Sequence, residues 1–298
     1  MFDDGCAEPR LRLRVDGVVC EAGGRVNEDH WGQTTCAAWV LDGATSLTDP
    51  PLLTGASDAE WFVAALSSAL SRRLGAVPDD LRATLADVLT DVRGRFSAEA
   101  RALPEASKPY EQPSASMALA VLRGRTVEIA TIGDVRAVLR RSNGSVSSVG
   151  ESNVHVGERQ TIAELSRLLA SGMSHREASQ RLRPAILRHR ATMNVDGGYW
   201  VLSTAFDVVD TISIRVVDAD SIASIVLLSD GLYRLVDVFG RFAESEIAAI
   251  AAAGGLGGLY ALLREIESAD PECRTFPRVK PFDDATGVVV KVDEVGHR

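Results

Sequence analysis

Four times in this chain an apolar run or turn stops at an aspartate beside a small residue: Trp39-Val-Leu-Asp42-Gly43, Thr131-Ile-Gly133-Asp134, Leu227-Leu-Ser-Asp230-Gly231 and Phe282-Asp283-Asp284-Ala285. A fifth acidic site, Asn27-Glu28-Asp29, follows the first strand-like run. An aspartate at the end of a buried strand stands at the rim of a sheet, where its carboxylate is poorly solvated. Several such groups meeting there repel one another, and a hard divalent cation with oxygen ligands relieves the repulsion. Glycine after the aspartate lets the backbone turn and brings a carbonyl within coordinating reach. Each Asp-Gly alone has a plainer reading, a turn after a strand. The set argues further than its members, because no His or Cys cluster competes for a metal.

The spacing of apolar residues supplies the frame around these positions. Alternation predicts strands over 11–20 and 34–41. Helical period predicts helices over 57–74, opened by a Ser57/Glu60 capping box, and over 79–103, following Pro78. Strands are expected again at 114–123, 126–132 and 135–140, with turns at Arg123-Gly124 and Gly133-Asp134. From 151 to 190 the pattern is helical, and the pairs Thr161/Glu164 and Ser174/Glu177 predict two helices there. Strands follow at 199–203, 212–217 and 224–229, then helices after Asp230-Gly231 and within 243–267. A last strand is expected over 286–292. Runs of consecutive strands point to antiparallel sheets with helices outside, an α+β class, and away from βαβ alternation.

Bulk properties narrow the function classes. The 298 residues suffice for one large domain or two small ones, with 46% hydrophobic and 24% charged, the balance of a globular chain. The net charge of -9 argues against nucleic acid as the main partner. Trp31, Trp39, Trp61 and Trp200 are not spaced as a stacking platform and are expected in the core or against the sheets. No signal-peptide core precedes Arg14. The apolar stretch 248–263 is broken by Gly254, Gly255, Gly257 and Gly258, so it is expected to form two helices around a turn and not a membrane span. Cys6, Cys20, Cys36 and Cys273 form no CxxC pair, which disfavours disulfides and zinc and makes the cytoplasm the expected compartment.

In order along the chain, these segments resemble the type 2C metal-dependent serine/threonine protein phosphatases. Gly24-Arg25-Val26-Asn27-Glu28-Asp29 is similar to the family's Arg-x-x-Asn-Glu-Asp opening, and Val40-Leu41-Asp42-Gly43 to its strand ending in Asp-Gly. Ser116-Met117-Ala118 with Ile132-Gly133-Asp134-Val135-Arg136 resembles the central strands ending in Gly-Asp-Ser-Arg. Leu227-Leu228-Ser229-Asp230-Gly231-Leu232 resembles Ser-Asp-Gly-Leu, and Asp283-Asp284-Ala285-Thr286 the terminal Asp-Asn-x-Thr. The resemblance runs from about Val15 to Val292 and points to a divergent bacterial branch with Asp42-Gly-Ala-Thr45.

The resemblance implies a four-layer α/β/β/α sandwich of two antiparallel sheets flanked by helix pairs. It further implies one catalytic domain over 1–298 with a flap insert at about 151–190, and two Mn²⁺ or Mg²⁺ ions in a cleft at one end. Asp42 would bridge both ions; the Gly43 carbonyl and Asp230 would hold one, and Asp283 the other, with Glu28 and Asp29 reaching it directly or through water. Asp134 matches the ligand of a weaker third ion, and Arg25 the phosphate clamp. A hydroxide held between two metals would hydrolyse phosphoserine or phosphothreonine without a covalent phosphoenzyme. The implied partners are a phosphoprotein substrate and a partner kinase.

Three departures set limits on that expectation. The usual general-acid histidine is replaced by Ala44, Arg25 lies four residues before Asp29 instead of five, and Val135 replaces a serine. The first two favour an alternative: a weak or inactive phosphatase-like binding module that regulates a kinase or another signalling partner. A phosphatase for a small phosphoester is a third reading. The flap carries Arg176, Arg181, Arg183, Arg188 and Arg190, read either as a solvated helix face or as a basic lid for an acidic or phosphorylated partner. His175 and His189, lacking ligand spacing, are expected at the surface.

Overall fold

Strands that are apolar at nearly every position need cover on both faces, and here they have it. The computed structural model describes residues 11–46, 51–100, 108–150 and 154–295, with the backbone alone for 154–158. In chain order its strands and α-helices are β1 (Leu11–Glu21), β2 (Asp29–Gln33), β3 (Ala37–Gly43), α1 (Asp58–Arg73), α2 (Leu81–Glu99), β4 (Ser114–Arg123), β5 (Thr126–Ile132), β6 (Arg136–Arg141), β7 (Val146–Val149), α3 (Val154–Ala170), α4 (His175–Arg190), β8 (Leu202–Ser203), β9 (Ser213–Asp218), β10 (Ile222–Leu228), α5 (Asp230–Asp237), α6 (Glu244–Ala252), α7 (Leu256–Ala269) and β11 (Ala285–Glu294). One antiparallel sheet has the order β1-β11-β10-β6-β7, the other β2-β3-β4-β5-β9, with β8 also paired to β4.

The two-residue period of each strand sorts its side chains into layers. Ala118, Ala120 and Leu122 of β4 point inward with Val40, Ile129, Leu227 and Val288 to form the core between the sheets. Their neighbours Met117, Leu119 and Val121 point the other way, onto α1 and α2, beside Trp39, Phe62, Leu66 and Leu89. On the far side Val138, Val226, Leu228 and Val289 pack against Leu232, Leu263 and Ile247 of α5, α7 and α6. The result is the expected α/β/β/α sandwich. Trp39 is fully buried, and its indole N–H donates to Ser67 Oγ at 3.0 Å, as a buried indole requires.

Most element ends follow local chemistry. Ser57 caps α1 by accepting from the Ala59 N–H, and Asp80 caps α2 by accepting from Arg82 and Ala83. Ser174 and Glu177 form the expected capping box at the start of α4. Thr161 does not start a helix; it lies inside α3, whose backbone is already helical from Val154. α6 and α7 are separated at Gly254 and Gly255, as the glycines predict. The helix expected over 79–103 ends at Glu99, and positions 101–103 and 151–153 lie outside the described residues. Two strands were not expected, β2 and β7. β2 (Asp-His-Trp-Gly-Gln) has no apolar alternation and exists because β3 pairs with it. Among the described residues no helix is long and apolar enough to cross a membrane.

Antiparallel register is what assembles the acidic strand ends. Asp29, at the start of β2, pairs with Asp42 at the end of β3, and Asp42 pairs with Ser116 at the start of β4. Met117 pairs with Ile132, placing Gly133-Asp134 next in line. In the other sheet Leu228 pairs with both Gly287 and Arg136, so the ends of β10, β11 and β6 also coincide.

Candidate active site

Both sets of strand ends open into one cleft of about 560 Å³, whose lining includes Asp42, Gly43, Asp134, Asp230 and Asp283. Two close approaches lie beside its lining residues Ser116, Asp134 and Asp230. Gly133 has φ +84°, and a Cβ there would lie 2.0 Å from Ser116 Oγ; a Cβ on Gly231 would lie 1.9 Å from the Asp284 carbonyl oxygen. With Gly133 in place, Ser116 Oγ donates to Asp134 Oδ1 at 2.5 Å and accepts the Asp134 N–H at 3.2 Å.

The carboxylates differ sharply in how they are compensated. The Asp42 carboxyl is held well above the usual range by burial first, then by the charges of Asp230 and Asp29. Asp230 is raised well above that range by burial, then by Asp283 and Asp134. Asp29, 5% exposed, is pushed up to about 7 by burial and by Asp284 and Asp283, against the hydroxyls of Ser229 and Thr286. Its Oδ2 is buried with no hydrogen-bond partner. Glu28, by contrast, accepts from Ser57 Oγ on one oxygen and from Thr45 Oγ1 at 2.5 Å on the other.

Asp283 is compensated from within the protein. Its Oδ1 accepts from Lys280 Nζ at 2.8 Å and from the Asp284 N–H at 3.1 Å; its Oδ2 accepts from Arg234 Nη2 at 2.6 Å. Burial would raise this carboxyl, yet Lys280 and Arg234 hold it below the usual range. Asp284 points elsewhere, accepting the N–H groups of Gly23 and Glu28 at 2.7 Å each, and so braces the loop before β2.

The donor set therefore splits when tested against divalent ions. Asp42, Asp230 and the Gly43 peptide fit one: crowded carboxylates, with the orphaned Asp29 oxygen behind them, are the donors that a hard cation relieves. Asp283 does not fit one in this arrangement, because two side-chain cations already hold it. Among the described residues no group of three His, Cys, Asp or Glu stands ready around a single ion position.

Arg25 is exposed in the loop before β2, outside the lining of the cleft, and is not brought together with the aspartates. The cations that do line it include Arg190, one of the arginines read as a solvated face or a basic lid, and Arg136, Arg234 and Lys280, which have no expected role from the sequence. Signals for two of them exist in hindsight. Arg234 follows Asp230 by one helical turn on α5, and Lys280 precedes Asp283 by three residues. The expectation of a surface position fails for His175, which is 7% exposed because its ring packs into the loop after α7, with Nε2 3.1 Å from the Arg278 carbonyl oxygen. His189 lines the cleft and stacks on Tyr199 with ring centroids 4.8 Å apart. The expectation for the tryptophans holds: Trp39 is core, and Trp31, Trp61 and Trp200 pack against core clusters.

The family model described as Protein phosphatase 2C matches residues 16–253, most of the chain and both sheets. The chain belongs to the protein phosphatase 2C family. No curated protein matches it by sequence. The fold of this phosphatase 2C member is shared with the serine/threonine phosphatase PstP/Ppp of Mycobacterium tuberculosis, at TM-score 0.56 and 17% identity over 96% of this chain and 100% of that one. The catalytic domain of PstP in complex with two manganese ions matches equally well, at TM-score 0.56 and 17% identity, with the same coverage of both chains. PppA of Pseudomonas aeruginosa, a regulatory component of its T6SS, matches at TM-score 0.53 and 17% identity over 95% of this chain and 100% of that one.

Proposed function

We propose that this phosphatase 2C member is a divalent-cation-dependent phosphatase that hydrolyses phosphoserine and phosphothreonine in a protein substrate. The observation that carries the reading is the pairing of Asp42 with Asp230. Asp42 lies near the end of β3 in one sheet and Asp230 opens α5 just after β10 of the other; they face one open cleft, and both carboxyls are destabilised as anions by burial and by like charge. Residues 42, 43 and 230 would hold the ion, with Asp29 behind them. Mn²⁺ or Mg²⁺ there would supply an acidified water and neutralise phosphoryl oxygens. The manganese complex of PstP supports the choice of ion.

The chain's own groups would do the rest. Arg190, donating to the Thr45 carbonyl oxygen at 3.2 Å, joins the flap to the loop after β3 and sets a guanidinium at the cleft wall, suited to a phosphate or an acidic residue beside it. With Ala44 where the family has its histidine, His189 is the histidine lining the cleft among the described residues and the candidate proton donor to the leaving oxygen. The third ion expected at Asp134 competes there with the Ser116 hydroxyl.

A second reading, a binding module for a kinase or another signalling partner, is favoured by Ala44 and by Arg25 lying outside the cleft. Hydrolysis of p-nitrophenyl phosphate and of a phosphothreonine peptide, each with and without Mn²⁺, separates the two. Mn²⁺-dependent turnover of the peptide is expected. Folded, Mn²⁺-binding protein with no turnover of either substrate leaves the binding module.

A further inference from the structure

We propose that Lys280, with Arg234, stands in for the second divalent ion, so that this chain takes one ion at Asp42 and Asp230 and carries the other positive charge as side chains. The inference rests on the metal-dependent reading above.

Asp283 is the carboxylate that the family resemblance assigns to the other ion. Here both of its oxygens are engaged by cations, Lys280 Nζ at 2.8 Å and Arg234 Nη2 at 2.6 Å. An ion on Asp283 would stand within a few ångströms of an ammonium and a guanidinium in a poorly solvated pocket, where like charges repel strongly. Arg234 is not free to withdraw. Its side chain is 9% exposed, and Nη1 also donates to Glu267 Oε1 at 3.0 Å and to the Lys280 carbonyl oxygen at 3.3 Å. Glu267, fully buried, needs that charge in turn, together with Arg264.

Lys280 differs from Arg234 in one useful respect: its side chain is 43% exposed and lines the cleft. An ammonium has three donors, and Asp283 takes one. The remaining N–H groups are available to the phosphoryl oxygens of a substrate beside the ion at Asp42. The charges of Asp230 and Asp42 also act on Lys280, which places the ammonium among the same carboxylates that two metals would share.

The test is a titration of the full chain with Mn²⁺, followed by calorimetry for stoichiometry and by electron paramagnetic resonance for coupling between ions. Wild type is expected to bind about one Mn²⁺ per chain with an isolated-ion spectrum, because hard-cation sites follow the count of uncompensated oxygen ligands. Lys280→Arg should behave alike. Lys280→Gln, and more fully Lys280→Gln with Arg234→Gln, should admit a second ion and give an exchange-coupled pair. Arg264 keeps Glu267 partnered in the double variant, and Lys280→Gln alone touches no buried pair beyond Asp283. Two coupled ions in wild type would overturn the inference and leave the phosphatase reading standing. One ion in wild type and in every variant would also overturn it, since Lys280 would then not be what excludes the second. No bound Mn²⁺ at all would remove both.

Discussion

Asp42 and Asp134 both end a strand beside a glycine, yet the cleft treats them differently. Asp134 already accepts a hydroxyl from Ser116 at 2.5 Å, whereas Asp42 faces Asp230 and Asp29 with its charge unrelieved. Asp42→Asn is therefore expected to abolish both Mn²⁺-dependent turnover and the rise in Tm on adding Mn²⁺. Asp134→Asn should weaken turnover and keep the Tm response. Equal loss of both responses in the two variants would refute the ranking. Ala44 bears on the leaving group. An aryl phosphate leaves as a stabilised phenolate, while a phosphothreonine alkoxide needs a proton that general acids typically supply for roughly 10²–10⁴-fold. Turnover of p-nitrophenyl phosphate should thus exceed that of phosphothreonine peptide disproportionately. Ala44→His should narrow the gap, and His189→Gln should widen it if His189 is the donor. Equal kcat/KM on both substrates, unchanged by His189→Gln, would show another acid at work.

Among the elements, the α3–α4 pair is tied to the segment that carries Lys280 and Asp283. Leu165, Leu169, Ala178 and Leu182 share a small core with Cys273, and the Arg274 guanidinium donates to the carbonyl oxygens of Leu169 and Met173 at 2.7 and 2.9 Å. Asp270 organises that segment, accepting the N–H groups of Arg274, Thr275 and Phe276 and Nη1 of Arg278. Burial raises the Asp270 carboxyl, but these donors outweigh it and leave it below its ordinary value. An acid with a lowered folded pKa adds stability that is complete above its unfolded value of about 3.9 and is lost as pH falls through the folded value. Asp270→Asn should therefore lower stability by roughly 3 kcal/mol at pH 7, the scale for breaking a buried pair, and flatten the acid limb below about pH 4. Thermal denaturation from pH 7 down to pH 2 checks this. An acid limb as steep as wild type would mean that Asp270 does not carry the linkage.

For the whole molecule, the crowded carboxylates at the end of the sandwich are a cost that a bound ion would offset. Mn²⁺ at about 100 times its Kd should add about 2.7 kcal/mol by mass action alone. A Tm that climbs with the logarithm of Mn²⁺ concentration, measured by scanning calorimetry, is the expected outcome. A Tm indifferent to Mn²⁺ would contradict a site at Asp42 and Asp230. Arg190, the last residue of α4, lines the same cleft and donates to the Thr45 carbonyl oxygen, which ties the α3–α4 pair to the loop after β3.

Much of this was legible along the chain, because strand and helix periods are local. The apolar strands 114–123 and 126–132, the paired helices within 151–190 and the glycine break between α6 and α7 all follow from neighbours in sequence. β2 and β7 were not, since neither has the apolar alternation that marks a strand and both depend on a partner strand. At the site Asp42, Asp134, Asp230 and Asp283 announced themselves by position, each closing an apolar run or turn beside a small residue. Their compensation did not, because charge pairing reaches across the fold: Arg234 and Lys280 become the counter-charges of Asp283 only once α5 and the 280–283 segment pack together, with Arg234 and Asp283 49 residues apart in the chain. The sequence alone determined which carboxylates close the apolar runs. How far each is compensated was decided by the tertiary structure, since burial and the reach of distant cations set the charge that each carboxylate has left.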